Sequence, residues 1–181
     1  MRELLKGTKI KLTYLKDEDI DAFTHWYEDT KFLRLYSSEP SIPKSPSEIS
    51  KIFDEVKNSP TSIGLAIRDI LSNEILGYLE LDGVNYNNGT SWIAIAIGDS
   101  KNWGKGYGTE ALNLALDFSF NELNLHKLQL TVFEYNKSAI KLYENIGFKK
   151  EGSYREYIHR DGKRFDMYLY GMIKSEYKSI L

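Results

Sequence analysis

The stretch Ile93-Ala-Ile-Ala-Ile-Gly-Asp-Ser-Lys-Asn-Trp-Gly-Lys-Gly-Tyr-Gly-Thr-Glu-Ala111 is the one from which the rest of the chain is read. It passes from an apolar segment, through a glycine-rich loop, into residues that favour helix. Gly104, Gly106 and Gly108 remove side chains at alternate positions, so the backbone can take unusual dihedrals and several N–H groups can converge on one anion. A helix beginning near Tyr107 would point its positive end at the same place. The combination predicts a backbone cradle for a phosphate or pyrophosphate, with a strand before it and a helix after it. A plain strand-to-helix turn has the same local composition, so the flanking sequence must decide.

Working outward, Thr61 to Ile70, Ile75 to Val84 and Ser91 to Ile97 are apolar, β-branched stretches separated by Ser72-Asn73 and Asn87-Asn88-Gly89, which predicts strands joined by hairpins. On the other side, Leu112, Leu116, Phe120 and Leu123 fall near helical spacing, with Ala111 and Ala115 as small contacts. Lys127 to Phe133 then alternates as a strand, so Ser91 to Phe133 reads as a strand, helix, strand crossover.

Before this unit, Thr8 to Leu15 reads as an edge strand with Ile10, Leu12 and Tyr14 on one face. A helix follows with Asp17 as N-cap and Ile20, Phe23, Trp26 and Tyr27 on its stripe. Asp29 to Ser45, with Pro40 and Pro43, reads as a loop, and Ser47, Ile49, Ile52, Phe53 and Val56 mark another helix. After the unit, Asn136 to Asn145 is a short helix capped by Asn136 and ended by Gly147. Phe148 to His159 and Lys163 to Ile173 are final strands joined at Asp161-Gly162. The expectation is an α/β (α+β) fold over residues 1–181 as a single domain, a mixed central sheet of about seven strands with about four helices.

Bulk properties exclude several functions. Twenty-four basic against 26 acidic residues leave a net charge of −2, too balanced for a protein that grips a nucleic-acid backbone. There are no cysteines, and His25, His126 and His159 lie without ligand spacing, so neither a thiolate nucleophile nor a metal site is expected. The first residues carry no apolar run of signal-peptide length, and no later run is long enough to span a membrane, so a soluble cytoplasmic protein with no membrane partner is expected.

Three ligand classes compete for the loop. A nucleoside-triphosphate P-loop needs Gly-x-x-x-x-Gly-Lys-[Ser/Thr], and here Gly104-Lys105 is followed by Gly106. Gly106 to Ala111 does satisfy the dinucleotide pattern G-x-G-x-x-A, and Glu134 ends the next strand. That fingerprint, however, normally opens a chain directly after its strand, whereas here three strands precede it and several residues separate Ile97 from Gly104.

The third class is coenzyme A. Trp103-Gly-Lys-Gly-Tyr-Gly-Thr-Glu-Ala111 resembles the [Arg/Gln]-x-x-Gly-x-[Gly/Ala] pyrophosphate loop of the GNAT superfamily of N-acetyltransferases. Asn136-Lys-Ser-Ala-Ile-Lys-Leu-Tyr-Glu-Asn-Ile-Gly-Phe148 resembles its second signature, Asn-x-x-Ala-x-x-x-Tyr-x-x-x-Gly-Phe. The element order fits a GNAT-like sheet along nearly the whole chain. The long final hairpin looks like the RimJ/RimL-type branch, which acetylates protein N termini and has spermidine acetyltransferases as near relatives. Asn102-Trp103 stands where the family usually has Arg or Gln, a departure that touches a side-chain contact and leaves the backbone cradle intact.

The resemblance implies acetyl-CoA as co-substrate without a metal, an amine-bearing small molecule or protein N terminus as acceptor, and a homodimer as a common assembly. It implies that Ile95, Ala96 and Ile97 pair with the pantetheine arm, and that Trp103, Gly104, Lys105, Gly106, Tyr107, Gly108 and Thr109 hold the pyrophosphate. Asn136 and Ala139 would border the pantetheine, with Tyr143 near the thioester sulfur as acid for the leaving thiolate. Residue chemistry adds Glu80, a carboxylate in the middle of an apolar strand, as base, and backbone N–H groups near Ile97, freed by a strand irregularity, as oxyanion donors. Asp17, Glu18, Asp19, Asp21, Glu28 and Asp29 crowd the first helix, and with Trp26, Tyr27 and Tyr36 they would favour a cationic amine. A coenzyme-A-binding regulatory module or a small-molecule sensor on the same fold is the competing reading, against which both Tyr143 and Glu80 speak.

Overall fold

Side-chain alternation gives the central sheet two unlike faces, each covered by its own helices. In the computed structural model, which describes residues 3–178, seven strands run in the order β1-β2-β3-β4-β5-β7-β6. They are β1 (Ile10–Tyr14), β2 (Ile63–Asp69), β3 (Ile75–Asn85), β4 (Thr90–Ile97), β5 (Lys127–Phe133), β6 (Lys149–Arg160) and β7 (Lys163–Ile173). The helices are α1 (Ile20–Glu28), α2 (Thr30–Tyr36), α3 (Pro46–Asn58), α4 (Tyr107–Asp117) and α5 (Lys137–Ile146). On β3, Leu79 and Leu81 enter a core with Leu112, Leu116 and Tyr143, whereas Tyr78 points the other way into a cluster with Phe23, Trp26 and Phe53.

The junction between β4 and β5 is parallel and short. Thr90, Ser91 and Trp92 pair with Lys127, Leu128 and Gln129, and the pairing then stops. Beyond it β4 stays paired with β3 as far as Ile97, and β5 stays paired with β7 as far as Phe133. Each strand is held by its outer neighbour while the inner edges part. Gly98 donates its N–H to the Leu76 carbonyl on the β3 side at 3.0 Å, so by alternation the backbone groups of Ile95 and Ile97 face the opening.

Local signals hold up where the chemistry is strong. Ser45 and Glu48 form a reciprocal capping box with Pro46 in the first turn of α3. The Asn136 side chain accepts from the Ala139 N–H at 3.2 Å, and Gly147 closes α5 at φ 113°. Asp161 (φ 51°) and Gly162 (φ 72°) both turn left-handed between β6 and β7.

Several expectations are corrected. Asp29 to Ser45 is not all loop, because Thr30–Tyr36 forms α2 with Asp29 as its N-cap; seven residues are too few for periodicity to stand out, and Phe32 and Leu33 are held by tertiary burial. That helix brings the number to five rather than about four. Asp17 caps no α-helix; Asp17–Asp19 form a 3-10 turn and the Asp17 carboxylate pairs with Lys57 at 2.6 Å. Tyr14, at the end of β1, shares the Ile10 and Leu12 side by alternation but lies beyond the core and is exposed. The register of β3 with β4 is regular to Ile97 and slips between Asp82 and Asn85, so the free N–H groups near Ile97 come from strand separation and not from a bulge. Among the described residues no helix is long and apolar enough to cross a membrane. Met1 and Arg2, part of the segment read for a signal peptide, lie outside the described residues.

One buried ion pair seats α1 on the sheet. Arg68 on β2 donates to Asp19 at 2.6 Å, with both side chains almost fully enclosed. The Arg68 Nε–H also reaches Thr13 Oγ1 at 2.9 Å, and the Lys16 N–H reaches Asp19 at 2.8 Å. Removing one partner leaves a buried charge, so Asp19→Ala should cost about 3–5 kcal/mol in urea unfolding, while Asp19→Leu combined with Arg68→Met should cost markedly less. Similar losses in the single and double variants would show that the charges do not act as a pair.

Candidate active site

The glycine loop folds as a backbone cradle. Gly104 (φ 75°) and Gly106 (φ 86°) are left-handed, where a Cβ would be strained, and Gly106 is the N-cap of α4. The Trp103 indole N–H donates to the Ile97 carbonyl at 2.8 Å, fastening the loop to the free end of β4. From just before β1, Lys9 Nζ donates to the Lys105 carbonyl at 3.0 Å, which occupies that oxygen and adds a positive charge beside the loop. Lys9 is itself placed by Glu110, whose carboxylate accepts the Lys9 N–H at 3.1 Å and the Thr8 hydroxyl at 2.8 Å.

A cavity of about 410 Å³ joins this cradle to the opening between β4 and β5. It is lined by Ile95, Ala96 and Ile97 of β4, by Trp103, Gly104, Gly106, Tyr107, Gly108 and Thr109, by Asn136 and Ala139, and by Tyr36 of α2. Phe32, Leu35, Asn102, Ser138 and Leu142 complete the wall, and these the sequence reading missed. Phe32 and Leu35 sit on the helix read as loop, and Leu142 looks like any apolar helical residue. Lys9 also went unread, since one lysine on an edge strand carries no signal until β1 is laid beside α4.

Other residues singled out in the sequence lie outside this lining. Lys105 is outside the lining, although its ammonium donates to Oδ1 of the wall residue Asn102 at 3.2 Å. Tyr143 is buried beneath α5 with its ring edge-on to Phe148 at 6.0 Å. Its hydroxyl has no hydrogen-bond partner among the described residues, and burial pushes its pKa up to about 12. Glu80 is half-buried on the opposite face of the sheet and accepts from the Tyr78 hydroxyl at 2.8 Å. Burial lifts the Glu80 carboxyl above its ordinary range, outweighing that hydrogen bond. Burial, and next the Glu80 charge, raises the Tyr27 and Tyr78 hydroxyls, so these groups form one neighbourhood. Trp26 and Tyr27 are buried in the aromatic cluster below it. A Cβ on Gly98 would lie 2.0 Å from the Trp26 ring, so glycine there lets the indole seat against the end of β4.

Half of the acidic residues near the first helix are paired with a cation in place. Asp17 pairs with Lys57, Glu18 with Lys16 and Asp19 with Arg68. Asp29 is occupied by the Lys31 N–H as a cap, and Glu28 lies 3.8 Å from His25. Asp21, Glu28 and Asp29 keep no Lys or Arg partner among the described residues. The Asn136 side chain is also used within the protein, as the α5 cap and as a donor to the Leu35 carbonyl at 3.4 Å. Among the described residues no cluster of His, Asp or Glu could hold a metal ion.

Comparison with known proteins gives a consistent picture. The family described as Acetyltransferase (GNAT) domain matches residues 9–149. The spermidine N(1)-acetyltransferase of Vibrio cholerae is 27% identical over 171 residues, covering 94% of this chain and 96% of that protein. An uncharacterized N-acetyltransferase of prophage origin in Bacillus subtilis, YokL, is 29% identical over 172 residues, covering 95% of this chain and 94% of the relative. The crystal structure of spermidine N-acetyltransferase from Vibrio cholerae in complex with CoA and spermine superimposes with a TM-score of 0.85 at 26% identity, over 94% of this chain and 99% of that one.

The Lys9 strut is open to direct measurement. Lys9→Met removes one hydrogen bond, worth about 1 kcal/mol, from the loop. Amide exchange of Gly104 to Gly108 should then quicken about fivefold while the β-sheet amides keep their rates. Unchanged exchange in the loop would show that Lys9 does not hold it.

Proposed function

The chain belongs to the GNAT acetyltransferase family, and from that membership we propose that it moves an acetyl group from acetyl-CoA to a primary amine by direct attack within a ternary complex. The observation that carries this reading is the opening between β4 and β5, which meets the glycine cradle in one cavity. The residues present fit coenzyme A. Two left-handed glycines and the start of α4 suit a pyrophosphate, and the backbone edge of β4 beyond its pairing with β5, at Ile95 and the Ile97 N–H, suits the amides of a pantetheine arm. We also read residues 1–181 as one domain, and the long β6–β7 hairpin supports a place in the RimJ/RimL-type branch.

When bound, acetyl-CoA supplies an activated acetyl thioester. Backbone N–H groups at the parted end of β4 polarise its carbonyl. Glu80 receives the proton of the incoming amine, directly or through water. An α-amino group needs little help at neutral pH, but a lysine-like or polyamine nitrogen costs about 4–5 kcal/mol to deprotonate, and a half-buried carboxylate with a raised pKa is matched to that task. Tyr143 holds a proton for the departing sulfur; a hydroxyl whose pKa is raised to about 12 stays protonated throughout the working range. Glu80 and Tyr143 lie off opposite faces of the sheet, so acceptor and co-substrate meet through the opening.

Tyr143→Phe should lower kcat by about 10²-fold with little change in the KM for acetyl-CoA, and wild-type turnover with chemistry rate-limiting would return Tyr143 to a packing role. The kcat/KM for the amine should fall as pH drops through a pKa above the ordinary glutamate value, because the base must be ionised and burial favours its protonated form. Glu80→Gln should abolish that acid limb; persistence of the limb would assign the base elsewhere.

A further inference from the structure

A second cavity, of about 380 Å³, lies on the other side of α2. Its walls include Lys31, Arg34 and Leu35 of α2, Tyr135 after β5, Arg160 before the β6–β7 turn, and Phe165 of β7. Leu35 belongs to both cavities, so α2 is the partition between them. The partition is held by its carbonyls, since the Tyr135 hydroxyl donates to Arg34 and Asn136 donates to Leu35.

The charges around this second cavity do not balance. Arg34 is answered by Asp161. Arg160 spends its terminal nitrogens on backbone carbonyls, those of Ser37 and Glu39 at 3.1 Å, Ser38 at 3.4 Å and His159 at 3.1 Å. Among the described residues no carboxylate lies within ion-pair distance of it, and its Nε–H is buried without an acceptor. Lys31 likewise makes no ion pair among the described residues; it lines this cavity while its ammonium lies 5.5 Å over the ring of Trp103, on the wall of the first cavity. Lys31 and Arg160 thus border a cavity that also contains the Arg34–Asp161 pair and is otherwise walled by Thr30, Leu35, Tyr135 and Phe165, so three cations face one carboxylate and the balance favours an anion.

We propose that this cavity receives a carboxylate of the acceptor, so that the preferred acceptor is an amine bearing an acidic group, such as an acidic amino-terminal peptide, and a polyamine is disfavoured. The proposal rests on the acetyl-transfer reading. An acceptor whose amine lies in the opening between β4 and β5 reaches past Leu35 into the second cavity, where Lys31 and Arg160 attract its carboxylate and repel a second ammonium.

The test uses the full chain with acetyl-CoA and pairs of amino-terminal peptides that differ only in Asp against Asn, or Glu against Gln, near the amine, together with spermidine. The acidic member of each pair should have a kcat/KM about tenfold higher at low salt, with the advantage shrinking as salt is added. Lys31→Gln should bring the acid-to-amide ratio toward one; the ratio is read because any effect on acetyl-CoA cancels in it. Arg160→Lys, which keeps the charge, should preserve more of the ratio than Arg160→Gln. Equal rates for acid and amide, faster turnover of spermidine, or an acid preference that survives both Lys31→Gln and Arg160→Gln would overturn the assignment. Absence of turnover with every amine would instead overturn acetyl transfer itself, and this inference with it.

Discussion

Everything at the site depends on β4 and β5 sharing three residue pairs and then parting. A fully paired sheet would spend the backbone groups of Ile95 and Ile97 on its own ladder and would separate its two faces. Because β3 and β7 continue to hold the outer edges, the parted strands remain rigid without pairing to each other. The hydrogen-bonding capacity left open on β4 is a binding surface at fixed geometry, preorganised by pairing that lies elsewhere. The Ile97 carbonyl is the exception, since Trp103 takes it and so ties the cradle to the opening.

Two kinds of support keep the walls in place. On the cradle side, Glu110 in the first turn of α4 holds the backbone of Thr8 and Lys9, and Lys9 returns a bond to the loop. A carboxylate near the positive end of a helix would compete with a bound phosphate if it faced inward, but here it faces β1 and is satisfied there. On the acceptor side, α2 is held by polar contacts from Tyr135, Asn136 and Arg160. A seven-residue helix of this kind has little stability of its own, so its position as the partition between two cavities is decided by what grips it.

Charge shows how far position outweighs composition. Six acidic residues near the first helix read as an attractive field for cations, yet three are in ion pairs with Lys57, Lys16 and Arg68 and a fourth caps α2. Positive charge without a carboxylate partner among the described residues also lies between α2 and the β6–β7 turn, where Lys31 and Arg160, 129 positions apart in the chain, border one cavity. No local sequence window registers the Asp17–Lys57 and Asp19–Arg68 pairs or the meeting of Lys31 with Arg160.

The sequence by itself determined the strands and hairpins before the glycine loop, the crossover through α4, the cap of α5, and the two motifs that mark the family. These depend on local periodicity and backbone chemistry, which adjacent residues carry in full. It also placed most of the residues that border the cofactor-side cavity, because Ile95 to Thr109 is a continuous run. Only the tertiary structure decided that Asp29 to Ser45 contains α2, that the free N–H groups at Ile97 arise from strand parting, that Lys9 bonds to the loop, and that Tyr143 and Glu80 lie off opposite faces of the sheet. Each of these joins residues distant in sequence, and their energies come from burial and pairing that exist only once the sheet has assembled.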